Sequence, residues 1–117
     1  MKILLVEDDI MLNEMITEYI TSTGHIIKNA KTGAESLDIL EKERFDLLIL
    51  DINLPDIDGF TILEKMHEQK RMIPTIYISA LIDIEDISRA FDLGCFDYLK
   101  KPFHLKELTL RINKILK

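Results

Sequence analysis

Two hydrophobic patterns alternate along the chain. Short apolar runs occupy residues 2–6, 25–30, 46–50, 74–79 and 96–99, and in 3–6, 47–50 and 76–78 nearly every position is apolar. Continuous runs of this kind predict strands covered on both faces, as in a parallel sheet. Between them, apolar residues recur at steps of three and four. Residues 10–21 carry Met11, Met15, Ile16, Tyr19 and Ile20; residues 34–42 carry Ala34, Leu37 and Leu40. Residues 60–68 carry Phe60, Leu63 and Met66, and 84–93 carry Ile84, Ile87 and Phe91. Residues 105–116 carry Leu105, Leu108, Ile112, Ile115 and Leu116. Each stripe predicts a helix with that face against a sheet.

The residues at the boundaries fit. Thr32 and Glu35 have capping-box spacing, and Asp9, Asp58 and Asp83 precede helical patterns, as N-caps do. Gly24 and Gly94 follow helical stretches, where a left-handed residue ends a helix well. Pro74 opens a strand run, where its missing N–H is tolerated. Five strand-then-helix units with short connections predict an α/β domain with right-handed crossovers. No internal repeat or linker divides the chain, so one domain, 1–117, is expected.

Composition narrows the function. The 117 residues are 47% hydrophobic and 31% charged, the balance of a globular domain. The net charge of −6 disfavours nucleic acid or an anionic membrane as a general partner. No apolar run approaches the ~20 residues that cross a bilayer. A single cysteine, Cys95, leaves no internal disulfide framework and no multi-cysteine zinc site. A cytoplasmic location is the simplest expectation. His25, His67 and His104 lack metal-ligand spacing and read as surface or helix-packing residues.

In an open parallel sheet, ligands bind beyond the carboxyl ends of the strands. The first run is followed by Glu7, Asp8 and Asp9, and the third ends at Asp51. The fourth ends at Ser79, and Lys100, Lys101 and Pro102 follow the fifth. Taken singly, each has a structural explanation: a cap, a turn, a local hydroxyl bond, a solvated pair. Their joint position on one edge points further. Converging carboxylates demand a counter-ion. Hard oxygen ligands suit Mg²⁺, and a nearby ammonium and hydroxyl add donors for an anion. Together they describe a phosphoryl-transfer site with an aspartate able to act as nucleophile.

These residues carry a family resemblance. Val6-Glu7-Asp8-Asp9, then Leu50-Asp51-Ile52-Asn53-Leu54-Pro55 with Asp58-Gly59, then Ser79-Ala80, then Tyr98 with Lys101-Pro102-Phe103, are similar to the motifs of the CheY-like receiver domains of two-component response regulators. The resemblance runs over essentially the whole chain. It implies a doubly wound five-stranded parallel sheet of order 2-1-3-4-5, flanked by five helices. It implies that Asp51 is the phosphoacceptor for a sensor histidine kinase. Asp8 and Asp51 would bind Mg²⁺ directly, Glu7 through water, and Asn53 through its backbone carbonyl. Lys101 and Ser79 would bond the phosphoryl oxygens. Asp9 falls outside the acidic pair and is expected to cap the first helix. The Lys101-Pro102 bond would be cis. Ser79 and Tyr98 would be the switch residues.

The last third most resembles OmpR/PhoB-type regulators, in which a DNA-binding domain follows the receiver. That implies a homodimer face on the fourth helix, fifth strand and fifth helix. Cross-protomer Arg89–Glu107 and Asp97–Arg111 pairs are expected there. No DNA-reading motif occurs in these residues, so any DNA contact would belong to other sequence. The chain departs from the family pattern at Cys95 and Phe96, at Ser79, which stands for the commoner threonine, and at Leu81, which puts an apolar group near the site.

Two other classes fit less well. A phosphohydrolase with an aspartate nucleophile needs a second acid two residues on, where Asn53 stands. A flavodoxin-like binder needs a Ser/Thr/Gly-rich loop after the first strand, where this chain is acidic. A stand-alone single-domain regulator or a phosphorelay shuttle remains the alternative within the favoured class.

Overall fold

A computed structural model describes residues 1–80, 84–94 and 96–116, leaving out the side chain of residue 116. Strand β1 (Lys2–Val6) leads to α1 (Ile10–Ser22), and β2 (Ile26–Ala30) to α2 (Gly33–Lys42). Then come β3 (Leu47–Asp51), α3 (Gly59–Glu68), β4 (Thr75–Ser79), α4 (Ile84–Asp92), β5 (Asp97–Lys100) and α5 (Leu105–Leu116). All neighbouring strands pair in parallel, in the order β2-β1-β3-β4-β5. This is the expected doubly wound sheet.

Alternation along the strands builds two cores. Leu4, Val6, Leu48, Leu50 and Tyr77 face one side, where Leu40, Leu63, Met66 and Ala90 cover them. Ile3, Leu5, Leu47, Ile49, Ile76 and Ile78 face the other, against Ile16, Ile20, Leu108 and Ile112. Every residue of β3 and β4 is buried, which explains their unbroken apolar sequence. Each such Leu or Ile contributes about 1.5–3 kcal/mol on burial.

The caps form as their sequence predicts. Asp9, Thr32 and Asp58 accept from the backbone N–H groups of Leu12, Glu35 and Thr61, at 3.1, 3.1 and 2.9 Å. Gly24 and Gly94 have φ of +95° and +89°, the left-handed conformation that glycine adopts without penalty. The expectations for Asp83, Leu81 and Cys95 fall outside the described residues.

Two helices turn differently from their apolar stripes. On α1, Met11 and Met15 are exposed, and the buried residues are Asn13, Ile16 and Ile20. On α4, Ile84 is 78% and Phe91 50% exposed, and Ala90 is the buried residue. Both helices carry more apolar side chains than the sheet can cover.

Candidate functional site

The strand order decides which polar groups meet. Val6 of β1 pairs with Leu50 of β3, so the residues that follow, Glu7-Asp8 and Asp51, leave the sheet side by side. Oxygen atoms of Glu7, Asp8 and Asp51 lie within 4.8 Å of one another. Glu7 and Asp51 are buried, while Asp8 is exposed. Lys101 arrives from the β5–α5 turn through a cis Lys101-Pro102 bond, and its backbone N–H donates to Ser79 O at 2.8 Å. Its ammonium Nζ lies 2.6 Å from Glu7 Oε1 and 3.1 Å from Asp51 Oδ2.

Backbone donors fix the carboxylates. Asp9 N–H donates to Glu7 Oε2 at 3.1 Å, and Asn53 N–H to Asp51 Oδ1 at 3.0 Å. The Asn53 side-chain amide donates to Ser79 Oγ at 2.9 Å, which ties the β3 and β4 ends together. The start of α3 presses close: a Cβ on Gly59 would lie 2.8 Å from Asp51 O and 2.9 Å from the Ile52 Cα.

Burial dominates the electrostatics. It pushes the Glu7 carboxyl up to about 7, with the Asp51 charge acting in the same direction and Lys101 and the Asp9 N–H against it. Burial alone would lower Lys101, but the Glu7 and Asp51 carboxylates outweigh it and hold the ammonium above its usual range. One ammonium cannot balance three carboxylates. The surplus negative charge and the hard oxygen donors fit a divalent cation such as Mg²⁺. With one, the pocket would present a carboxylate nucleophile flanked by positive charge, suited to an incoming phosphoryl group.

The residues expected at the site, Glu7, Asp8, Asp51, Asn53, Ser79 and Lys101, thus come together at one edge. Tyr98 sits elsewhere. It is half-buried on β5 and meets Phe91 of α4 edge-on, with ring centroids 6.3 Å apart. The charges expected to pair across a dimer already have partners within the chain. Arg111 Nη1 lies 3.0 Å from Asp97 Oδ2, and Nη2 lies 3.8 Å from Glu107. Arg89 pairs with Glu64 at 2.5 Å instead of Glu107, and lies over the Phe60 ring at 4.5 Å.

Sequence reasoning missed a polar cluster behind the acidic pair. Asn13 is buried and donates its side-chain amide to Glu7 O at 3.0 Å. Asn29 donates to Asn13 Oδ1 at 2.6 Å and to Thr17 Oγ1 at 2.7 Å. The signal was present: Asn13 stands three and seven residues before Ile16 and Ile20, on the inward face of α1. Asp56 was also missed; it accepts from Gly33 N and Ala34 N, at 2.8 and 2.9 Å, and so ties the β3–α3 loop to α2.

Comparison with known proteins agrees with this geometry. The family model described as response regulator receiver domain matches residues 3–113. The transcriptional regulatory protein CrdR of Helicobacter pylori is 39% identical over 114 residues, which are 97% of this chain and 54% of that protein. The probable transcriptional regulatory protein SilR of Salmonella typhimurium is 36% identical over 117 residues, 100% of this chain and 51% of that one. The chain therefore spans about half the length of these curated relatives. The non-phosphorylated HemR receiver domain of Leptospira biflexa superposes with a TM-score of 0.93 at 34% identity, covering 99% of this chain and 94% of that one. Sheet order, the acidic strand ends and sequence similarity along nearly the full length lead to one assignment: the chain belongs to the response regulator receiver domains.

Proposed function

We propose that Asp51 accepts a phosphoryl group from the phosphohistidine of a sensor histidine kinase, and that the modified domain changes its surface to control an output. A Asp51 carboxylate oxygen forms the new P–O bond as the P–N bond to the kinase imidazole breaks, leaving an acyl phosphate and a neutral imidazole once a proton is taken up. The supporting observation is the buried Asp51 carboxylate beside the Lys101 ammonium at 3.1 Å. Lys101 can shift from Asp51 Oδ2 to a phosphoryl oxygen while Glu7 keeps it in position. The Ser79 hydroxyl can turn to donate to another. Glu7, Asp8, Asp51 and the Asn53 backbone carbonyl would hold Mg²⁺, which when bound offsets the charge the phosphoryl group brings. The domain is regulatory, and its own residues would assist both gain and loss of the phosphoryl group.

We carry three further readings as part of this proposal. Ser79 and Tyr98 act as the switch: the hydroxyl moves toward the phosphoryl group and the ring turns inward. The α4–β5–α5 face, with Arg89, Asp97, Glu107 and Arg111, forms a homodimer contact on phosphorylation. Transcription is the output, by analogy with CrdR and SilR, through sequence other than these residues. No helix among the described residues is long and apolar enough to cross a membrane.

The test is incubation with Mg²⁺ and acetyl phosphate, read by intact mass. The parent gains one phosphoryl group, and Asp51→Asn and a chelator each abolish the gain. Incorporation into Asp51→Asn at the parental level would refute the assignment.

A further inference from the structure

At the end of the sheet opposite Asp51, a cavity of about 670 Å³ opens between the C-terminal ends of α2 and α3. Asp46 directly precedes β3 and Asp51 ends it, so ~16 Å of extended strand separates this cavity from the phosphoacceptor edge. Buried Leu40, Phe45 and Met66 lie in its wall, with half-buried Leu37 and Ile73 beside them. Around this apolar lining stand four exposed cations, Arg44, Lys65, Lys70 and Arg71.

The charges do not cancel locally. Of the three acidic residues in the lining, Glu43 is already paired with Lys2, at 3.0 Å, and with Lys28. Asp46 accepts the Lys2 backbone N–H at 2.8 Å. That neutral amide leaves Asp46 its charge, so Glu41 and Asp46 stand against four cations, and among the described residues none of the four has an ion-pair partner. The cavity is a basic patch on a chain of net charge −6. Lys70 adds an independent sign. Its φ is +55°, the left-handed conformation that closes a helix and that glycine or asparagine takes most readily. A lysine there carries a backbone cost that a glycine would avoid, and it adds an ammonium to the rim.

We propose that this cavity is a docking site for an acidic, amphipathic segment of a partner protein, which inserts one or two apolar side chains between α2 and α3 while its carboxylates face Arg44, Lys65, Lys70 and Arg71. The apolar lining favours a peptide over a nucleic acid, whose outward face is phosphate and sugar. Occupancy leaves the Asp51 edge open, so docking and phosphorylation are compatible on one molecule.

The probe is a short blocked peptide of glutamates interrupted by one leucine and one phenylalanine, titrated into the ¹⁵N-labelled chain. Amide shifts are expected at 40–46 and 65–73 and not at Asp8, Asp51 or Lys101. Arg44→Glu and Lys70→Gly are the informative variants. Lys70→Gly relieves the left-handed strain, so its urea midpoint stays level or rises, yet with Arg44→Glu it weakens binding about tenfold or more. Any of these results would overturn the proposal: no shifts at millimolar peptide; shifts centred on the Asp51 edge; equal binding of a peptide with lysine in place of glutamate; or duplex DNA perturbing the same amides more strongly than the peptide. Parental affinity in the double variant would also sink it.

Discussion

Single side chains connect parts of the molecule that the sheet does not join. Asp56 lies in the β3–α3 loop, yet its carboxylate takes the first two N–H groups of α2. Those two hydrogen bonds, from Ala34 foremost and then from Gly33, hold its pKa below the usual value of 3.8. The positive end of the helix acts in the same direction. A carboxyl lowered in the folded state stabilises the fold fully above its unfolded pKa and loses that contribution as pH falls through the folded value. Asp56→Ala should therefore lower the urea midpoint at pH 7, and the difference from the parent should close as the pH drops below 3.8. A gap that stays constant across that range would assign the loss to something other than the charged carboxylate.

At the scale of elements, close contact matters more than propensity. Gly59 lets the start of α3 press against the end of β3, with no room for a Cβ against Asp51 O and the Ile52 Cα. Those neighbours are backbone, which cannot rotate away. Gly59→Ala is expected to cost about 1–3 kcal/mol of stability, read by urea denaturation, and to slow acetyl phosphate labelling by shifting Asp51. The five strands and five helices were legible because buried parallel strands and capped helices write strong local patterns. The site was legible because its residues follow strand ends in order. Asn13 and Asp56 were not, since their value depends on what chain-distant segments bring alongside them. The facing of α1 and α4 also escaped. Periodicity counts apolar residues, and Met11, Met15, Ile84 and Phe91 are apolar yet exposed.

For the whole molecule, that exposure has a use in the proposed function. Ile84, Phe91, Phe96 and Leu110 are all exposed on or beside α4, β5 and α5, the elements of the proposed dimer face. Burying them against a second copy would supply affinity, while the charges set the orientation. Arg111 would exchange its present contact with Asp97 for one across the interface. The Arg111 side chain is 33% exposed, so Arg111→Glu should fold, with some loss of stability from the new repulsion with Asp97 and Glu107. On a sizing column after acetyl phosphate treatment, the parent should elute as a dimer and Arg111→Glu as a monomer. Dimerisation of the variant at the parental concentration would remove Arg111 from the interface.

Glu7, Asp51 and Lys101 are each delivered by a different strand, and none is near another in sequence. An unfinished chain, or one with β5 detached, offers three ordinary side chains with no special reactivity. Under the proposed function the chemistry would carry its own quality control: the covalent mark could be written only on molecules in which β1, β3 and β5 have taken their places in the sheet, and a signal read from that mark would not count a copy lacking that arrangement.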